Sequence, residues 1–345
     1  MGLTHPRDLV AWQRWQKSRH RLRQVRHAVR PGTAPQPERF VLTTYDPEPR
    51  LLVALDSSSP TSLAALVEPL AHLDVPLAVL SPGPAPDLGG RRPLAQQDVS
   101  ADLPAVLRGI GVVVSLGHYL PRGERAHQWA RDLGAQSIVV QHGALTPYAP
   151  PLPHGARLLA WSDADADFWR SGRTDVDHEV VGSQLLWRAG LVTGGGAPSS
   201  TSGGADTRLT YLGQGHAAEL SRARLVHAAA SFCRSQGAVY RPHPSEHDRL
   251  SRLTHDAFRR RGITVDGTTP LAELTGPVVS VFSTGVLEAA AQGRDAWVDF
   301  PRPPAWLGEF WERYGMHRAG SSPTPAPPRQ AVEPARNIAA ILATV

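Results

Sequence analysis

The chain has 345 residues, a formal net charge of +5 and a single cysteine, Cys233. That length exceeds one typical core and suits two domains, while a lone cysteine excludes an intramolecular disulfide framework and a thiolate-rich zinc site. Eight of the 36 basic residues fall within the first 30 positions, against one acid, Asp8. The remainder is close to neutral, which argues against a nucleic-acid partner read by a basic working face.

Segment 1–38 begins "MGLTHPRDLVAW", without the charged-then-apolar layout of a secretory leader, and no apolar run reaches membrane-spanning length. The expectation is a soluble, cytoplasmic protein, at most peripheral at the inner face of a membrane. Leu9, Trp12, Leu22, Val25 and Val29 form a roughly helical stripe with arginines elsewhere. Such a helix can pack on the first domain or, through residues 1–30, lie on an anionic membrane surface; packing on the protein is the favoured reading.

Residues 39–192 alternate short Val/Leu-rich runs with amphipathic stretches: "RLLVALDSSSPTSLAALVEPLAHL", "VPLAVLSPG", "IGVVVSLGHYLPRGERAHQWARDLGA", "SIVVQHGA", "RLLAWSDADADFWRSG" and "HEVVGSQ". Apolar strands separated by helices predict βαβ units and a parallel sheet covered on both faces. Segment 193–207, "TGGGAPSSTSGGADT", holds almost nothing that can be buried and reads as a flexible linker. Residues 208–325 restart the alternation, with strands in "RLTYLGQGH", "GAVYRPHP", "GITVD", "PVVSVFSTG" and "DAWVDF", and helices over about 217–235 and up to about Arg261. Residues 326–345 end in a helix from about Gln330 to Thr344 that could lie against either domain. The fold class is α/β: two Rossmann-like, doubly wound parallel-sheet domains facing a cleft, with chemistry expected in the loops at the strand ends.

In "VVSVFSTGVLEAAAQG" a buried strand runs into Ser283, Thr284 and Gly285 and then into a helix. Hydroxyls, free backbone N–H groups and the positive end of the helix dipole converge there, a natural seat for phosphate. Glu288, one turn in, could accept hydrogen bonds from ribose hydroxyls. An ordinary helix cap explains the same residues, and both readings stand at this point.

"AVYRPHPSEH" places His243 between Pro242 and Pro244 on a stiff corner at a strand end. Arg241 supplies a permanent charge suited to a diphosphate, and His243 can donate to a phosphate oxygen or give a proton to a leaving group. In "TYLGQGHAAEL", Gly213 and Gly215 flank Gln214 and would let backbone approach a nucleotide closely. Read with Ala218 they half match a dinucleotide fingerprint, but the next strand ends in Arg241 rather than an acid.

In the first half, Gln141, His142 and Gly143 end one strand and His118 follows another; all four are acceptor-side candidates, with His142 as a base toward an acceptor hydroxyl. Asp163, Asp165 and Asp167 lack the glycine and distal Glu of a calcium loop and read as acids in the first turn of a helix. No Cys/His cluster exists, so neither a metal nor a cofactor is expected.

The order "QHG", "RPHP", "FSTGVLEA" resembles the GT-B glycosyltransferases, in particular bacterial CDP-glycerol glycerophosphotransferases and polysialyltransferase-like enzymes of capsule and wall polymer synthesis. The resemblance implies that His243 and Pro244 form an HP motif and Ser283 and Thr284 a Ser/Thr motif, both on the phosphates of a nucleotide donor. It implies that His142 and Gly143 match a His-Gly pair holding a catalytic base, with Gln141 where those enzymes have tryptophan. It further implies a metal-independent transferase that moves a sugar or polyol phosphate from a CMP-, CDP- or UDP-linked donor to a polymer or lipid-linked acceptor. Two alternatives remain: a UDP-sugar epimerase-like enzyme, although Thr284 stands where those enzymes have the first glycine of their motif, and a non-catalytic module with a nucleotide-sugar fold.

Overall fold

The computed structural model describes residues 2–19, 39–100, 102–192, 208–268 and 271–344. The expected linker 193–207 and the stripe residues Leu22, Val25 and Val29 lie outside the described residues. The chain divides into two compact units, residues 1–185 with 330–345, and residues 186–329.

Unit 1 holds an eight-stranded sheet of β1 (Val41–Thr44), β2 (Leu51–Ala54), β3 (Leu77–Ser81), β4 (Ala95–Asp98), β5 (Val112–Ser115), β6 (Gln136–Val140), β7 (Arg157–Ala160) and β8 (Asp177–Val180), in the order β4-β1-β3-β2-β5-β6-β7-β8. From β3 to β8 the ladder is parallel, as the apolar runs predict. The expectation of a wholly parallel sheet needs one correction: β1 pairs antiparallel with both β3 and β4. These two strands escaped the reading because β1 is short and mixed and β4, "AQQD", is exposed throughout and has no apolar residue beyond an alanine.

Alternate residues of β2 go to opposite cores, as period-two geometry requires. Leu51 and Val53 pack with Leu66, Leu70, Ile338 and Leu342; Leu52 and Ala54 pack with Ala126, Trp129 and Ala130. One face is thus covered by α2 (Pro60–Leu66) and the C-terminal helix, the other by α3 (Pro121–Leu133). The C-terminal helix, Pro334–Ala343, therefore belongs to unit 1. Gln184 ties it down, its amide donating to Glu68 and Glu333 at 3.0 Å each while its oxygen accepts the Ala335 N–H. The division at 185/186 falls inside a helix, α5 (Gln184–Val192), so the first unit ends before the Gly-rich segment rather than at it.

The N-terminal helix α1 (Leu9–Arg19) packs on unit 1: the Trp12 indole N–H donates to the Tyr148 carbonyl at 2.7 Å, and Trp15 stacks on Tyr148 with centroids 4.8 Å apart. No helix among the described residues is long and apolar enough to cross a membrane. Asp163 and Asp165 lie in the first turn of α4 (Asp163–Arg170), capped by Ser162.

Unit 2 holds a parallel four-stranded sheet, β10-β9-β11-β12, of β9 (Thr210–Leu212), β10 (Val239–Arg241), β11 (Val278–Ser280) and β12 (Ala296–Val298). Its helices are α6 (Arg222–Gln236), α7 (Arg249–Arg260), α8 (Thr284–Ala291) and α9 (Ala305–Arg313). Helix α6 starts later than expected because Ser221 caps it, accepting the Arg224 N–H. The strand expected in "GITVD" reduces to a bridge between Val265 and Tyr240.

From β9 the chain passes to β10 on one side and returns to β11 on the other. The carboxyl ends of β9 and β11 thus flank a topological switch point, where parallel sheets open a crevice.

Candidate functional site in unit 2

The parallel pairing β10-β9-β11 puts Arg241, Leu212 and Ser280 in register, so the three following loops leave the same edge of the sheet. Pro242-His243-Pro244, Gly213-Gln214-Gly215 and Ser283-Thr284-Gly285 are those loops. Hydrogen bonds join them. The Gln214 amide oxygen accepts the Phe282 N–H at 2.9 Å, which fixes the residue before Ser283. Because that N–H leaves the ladder, β11 stops at Ser280. Gly215 N–H donates to Glu246 at 2.9 Å, and the same carboxylate takes the His243 N–H at 3.3 Å.

Ser283 is the N-cap of α8, its hydroxyl accepting the Gly285 N–H at 3.1 Å, and Thr284 opens the helix. A Cβ at Gly285 would lie 2.8 Å from Leu212 Cδ1 and 3.0 Å from Leu271 Cδ2, so those side-chain ends would have to shift to admit one. Gly285 and Val286 donate to the Ser283 hydroxyl and carbonyl, so what this end offers is the positive partial charge of the helix dipole.

Glu288 is sheltered one turn further on. Burial raises its pKa, opposed by the charges of Arg188, Arg294 and Arg241. Arg241 feels Glu288 and Asp266 in turn, while desolvation lowers its own pKa. The strand end of β10 and the first turns of α8 therefore share one electrostatic neighbourhood.

His243 Nδ1 accepts the Ser245 N–H at 3.1 Å. A neutral His243 thus carries its proton on Nε2, a donor suited to an anionic oxygen. Its pKa is lowered, first by desolvation and further by Arg241, against a rise from Glu246.

The expectation that Gly213, Gln214 and Gly215 contact a nucleotide is corrected in one respect. The space left by Gly213 is filled by Tyr240 and Glu246, a Cβ there falling 2.6 Å from Tyr240 Cζ and 2.9 Å from Glu246 Oε1. Gln214 is buried with its oxygen committed to Phe282 and Ser280. These residues position the neighbouring loops, and the half-matched dinucleotide fingerprint reflects internal packing.

In unit 1 the structure separates the four acceptor-side candidates. Gln141 is a buried staple: its amide donates to Asp165 and to the Gly143 carbonyl, and its oxygen accepts the Trp161 N–H. It has no group left for a ligand, which corrects the expectation. His142 follows β6 and makes no ring hydrogen bond among the described residues; desolvation lowers its pKa to about 4, so the imidazole is neutral near pH 7. His118 follows β5, stands 5.3 Å from the His127 ring and has its pKa lowered to about 4, mainly by desolvation. Its Nδ1 is buried without a partner among the described residues. At the switch point of this unit, Asp56 accepts the N–H groups of Arg122 and Gly123 at 2.8 and 2.9 Å. The protein's own carboxylate thereby occupies the amino end of α3, the place an external anion would take.

Two residues of the unit 2 site escaped the sequence reading. Glu246 is buried and holds four groups, Gly215 N–H, His243 N–H, the Tyr240 hydroxyl at 2.8 Å and His255 at 3.1 Å. His216 stacks on His243, ring centroids 3.8 Å apart and planes 19° from parallel. Their only local signal is an acid in a Pro-flanked turn and a histidine after a Gly-x-Gly run. Among the described residues no three His, Cys, Asp or Glu side chains gather as metal ligands would.

No family model and no curated protein matches the chain. Among solved structures it is similar to HepE of Anabaena in complex with UDP, at 13% identity over 86% of this chain and 89% of that one, with a TM-score of 0.40. It is also similar to KpsC of Thermosulfurimonas dismutans, a β-Kdo 2,4 transferase, at 16% identity over 86% and 90%, with a TM-score of 0.32. At these values neither likeness assigns a residue of this chain.

Proposed function

We propose that the protein is a glycosyltransferase or polyol-phosphate transferase of GT-B type, and that unit 2 binds its nucleotide-activated donor. The observation that carries the reading is the convergence of the Arg241–His243 strand end and the Ser283-capped start of α8 on one edge of a parallel sheet, beside its switch point. A permanent cation, a ring N–H and the amino end of a helix form the donor set that a diphosphate requires.

In this reading Arg241, His243, Ser283, Thr284 and Gly285 hold the donor phosphates, and Glu288 orients the ribose. As the bond to the leaving phosphate breaks, charge grows on its oxygen. The fixed donors offset that charge without reorganising, which is where such groups contribute most to a rate. His243 Nε2–H would share or transfer its proton to that oxygen. His142, neutral near pH 7, is the base that takes the proton of the acceptor hydroxyl. Pyrimidine-linked donors used in cell-surface polysaccharide or wall polymer synthesis are the substrate class, with a polymer or lipid-linked hydroxyl as acceptor. A peripheral contact of residues 1–30 with an anionic membrane is proposed through their basic charge only, because the Trp12 and Trp15 side of α1 packs on unit 1, and in this reading the reaction needs no metal.

The test is a thermal-shift screen of the full chain against CMP, CDP, UMP, UDP and their sugar or polyol conjugates, followed by turnover of whichever donor binds. A ligand held by the native state must raise its melting temperature. His243→Ala should leave the protein folded and abolish turnover. Full activity in that variant, or no shift with any nucleotide, overturns the proposal.

A further inference from the structure

We infer that His216 is a second phosphate-binding imidazole, stacked on His243 so that the pair offers two ring N–H donors to one phosphate-bearing ligand. The inference rests on the donor-site reading above and adds to it a residue that reading did not include.

Three observations carry it. The rings lie 3.8 Å apart and 19° from parallel, a contact too close to leave room for another group between them. His216 belongs to the loop after β9, next to the switch point, on the same sheet edge as His243 and Ser283. The Nδ1 of His216 is buried and has no hydrogen-bond partner among the described residues. A buried acceptor without a partner is tolerated better than a buried N–H without one. Neutral His216 therefore carries its proton on Nε2, the same tautomer that Ser245 imposes on His243.

A purely structural histidine in such a loop would have its ring nitrogens satisfied, as His255 does on Glu246. Here the protein stacks two imidazoles, and neither ring nitrogen of His216 makes a hydrogen bond among the described residues, which leaves Nε2–H for a ligand. The groups that face the pair are Glu246 from the loop after β10, Arg241 from the end of β10 and Arg222 from the start of α6. Two of the three are cations. Burial and the neighbouring ring also lower the pKa of His216, to about 4. The rings are thus neutral near pH 7, and a phosphate supplies the negative charge that makes protonation favourable. Ligand binding should draw in a proton.

The experiment is calorimetric titration of the full chain with inorganic pyrophosphate and with UDP at pH 7, in buffers of different ionisation enthalpy, comparing wild type, His216→Phe and His216→Gln. Phenylalanine keeps the flat stacking partner and removes both nitrogens; glutamine keeps a neutral donor without a titrating group. Loss of one charge-assisted hydrogen bond corresponds to about tenfold weaker binding. The expected result is net proton uptake by wild type, and roughly tenfold weaker pyrophosphate binding with reduced uptake in His216→Phe. His216→Gln should keep more of the affinity but lose the uptake. A role confined to packing predicts that the phenylalanine variant matches wild type in both affinity and uptake, and that result overturns the inference alone. Wild-type binding of pyrophosphate but of no nucleotide overturns the donor reading and leaves the imidazole pair standing. No binding of either probe overturns both.

Discussion

The amide oxygen of Gln214 accepts the backbone N–H of Phe282 at 2.9 Å, tying the end of β9 to the loop that carries Ser283. One side chain from the loop after the first strand of unit 2 thus sets the position of a helix cap some seventy residues later. The bond is buried, and the Ser280 hydroxyl, whose one proton goes to the Leu212 carbonyl at 2.9 Å, stands 3.4 Å from the same amide oxygen.

Replacing Gln214 with leucine removes the acceptor and leaves a buried N–H unsatisfied, which costs about 1–3 kcal/mol. The Gln214→Leu variant should unfold at correspondingly lower urea and bind donor nucleotide more weakly. Urea titration followed by nucleotide titration checks both, and wild-type values for the two would show that the Ser283 loop does not depend on this bond.

Glu246 joins the Gly215 loop to the His243 loop, so its removal should disturb both together. Glu246→Ala orphans a hydroxyl, two backbone N–H groups and a histidine in a buried setting, and a loss of about 3 kcal/mol or more is expected. Glu246→Gln keeps the volume and one acceptor and should lose less. Equal stability of the two variants, measured by chemical unfolding, would contradict the role given to the carboxylate.

Gly213→Ala tests whether the glycine serves the protein or a ligand. Its new methyl would press on the Tyr240 ring, whose hydroxyl is held by Glu246, and overpacking of this kind costs about 1–3 kcal/mol. The melting temperature of the free protein should fall. Unchanged stability with weakened nucleotide binding would instead restore the glycine to direct ligand contact.

His118, His142 and His216 each have a folded pKa lowered to about 4 from 6.5, desolvation being the main cause. Between these values the unfolded chain binds protons that the folded chain does not, so stability rises with pH across that window. Present in full above about pH 6.5, this contribution is lost as pH falls toward 4. Asp248, lowered to about 2 by its bonds to Ser251, Arg222 and Leu250 against the opposing effect of burial, adds its own loss only below its ordinary 3.8. The melting temperature should therefore decline as pH falls from 6.5 to 4.5, with the half-buried carboxyl groups of Glu288 and Asp299, whose pKa values desolvation raises, opposing the trend. A flat profile across that interval would show that these imidazoles titrate normally in the folded state.

Asp56 caps α3 with both oxygens, accepting from Arg122 and Gly123. Asp56→Ala should destabilise unit 1 by about 1–2 kcal/mol. A gain of phosphate binding at the vacated helix end, read by titration with inorganic phosphate, is the accompanying expectation; stability equal to wild type would mean that the cap contributes nothing.

The sequence by itself determined the strands that carry the sheet cores, because runs such as Leu51–Ala54 and Val112–Ser115 are apolar on both faces and only a doubly covered sheet can bury them. It also located Arg241, His243 and Ser283 at strand ends, since proline and hydroxyl residues mark local breaks in the chain. Tertiary structure alone decided which side chains are available there. Whether Gln141 and Gln214 face a ligand or serve as internal staples depends on partners such as Trp161 and Phe282 that no local pattern reveals. The same holds for Glu246 and for the His216–His243 stack, where residues far apart in the chain meet only after β9, β10 and β11 align. Periodicity reports burial of a segment against an average surrounding, whereas hydrogen-bond and ring partners are fixed by strand order and register.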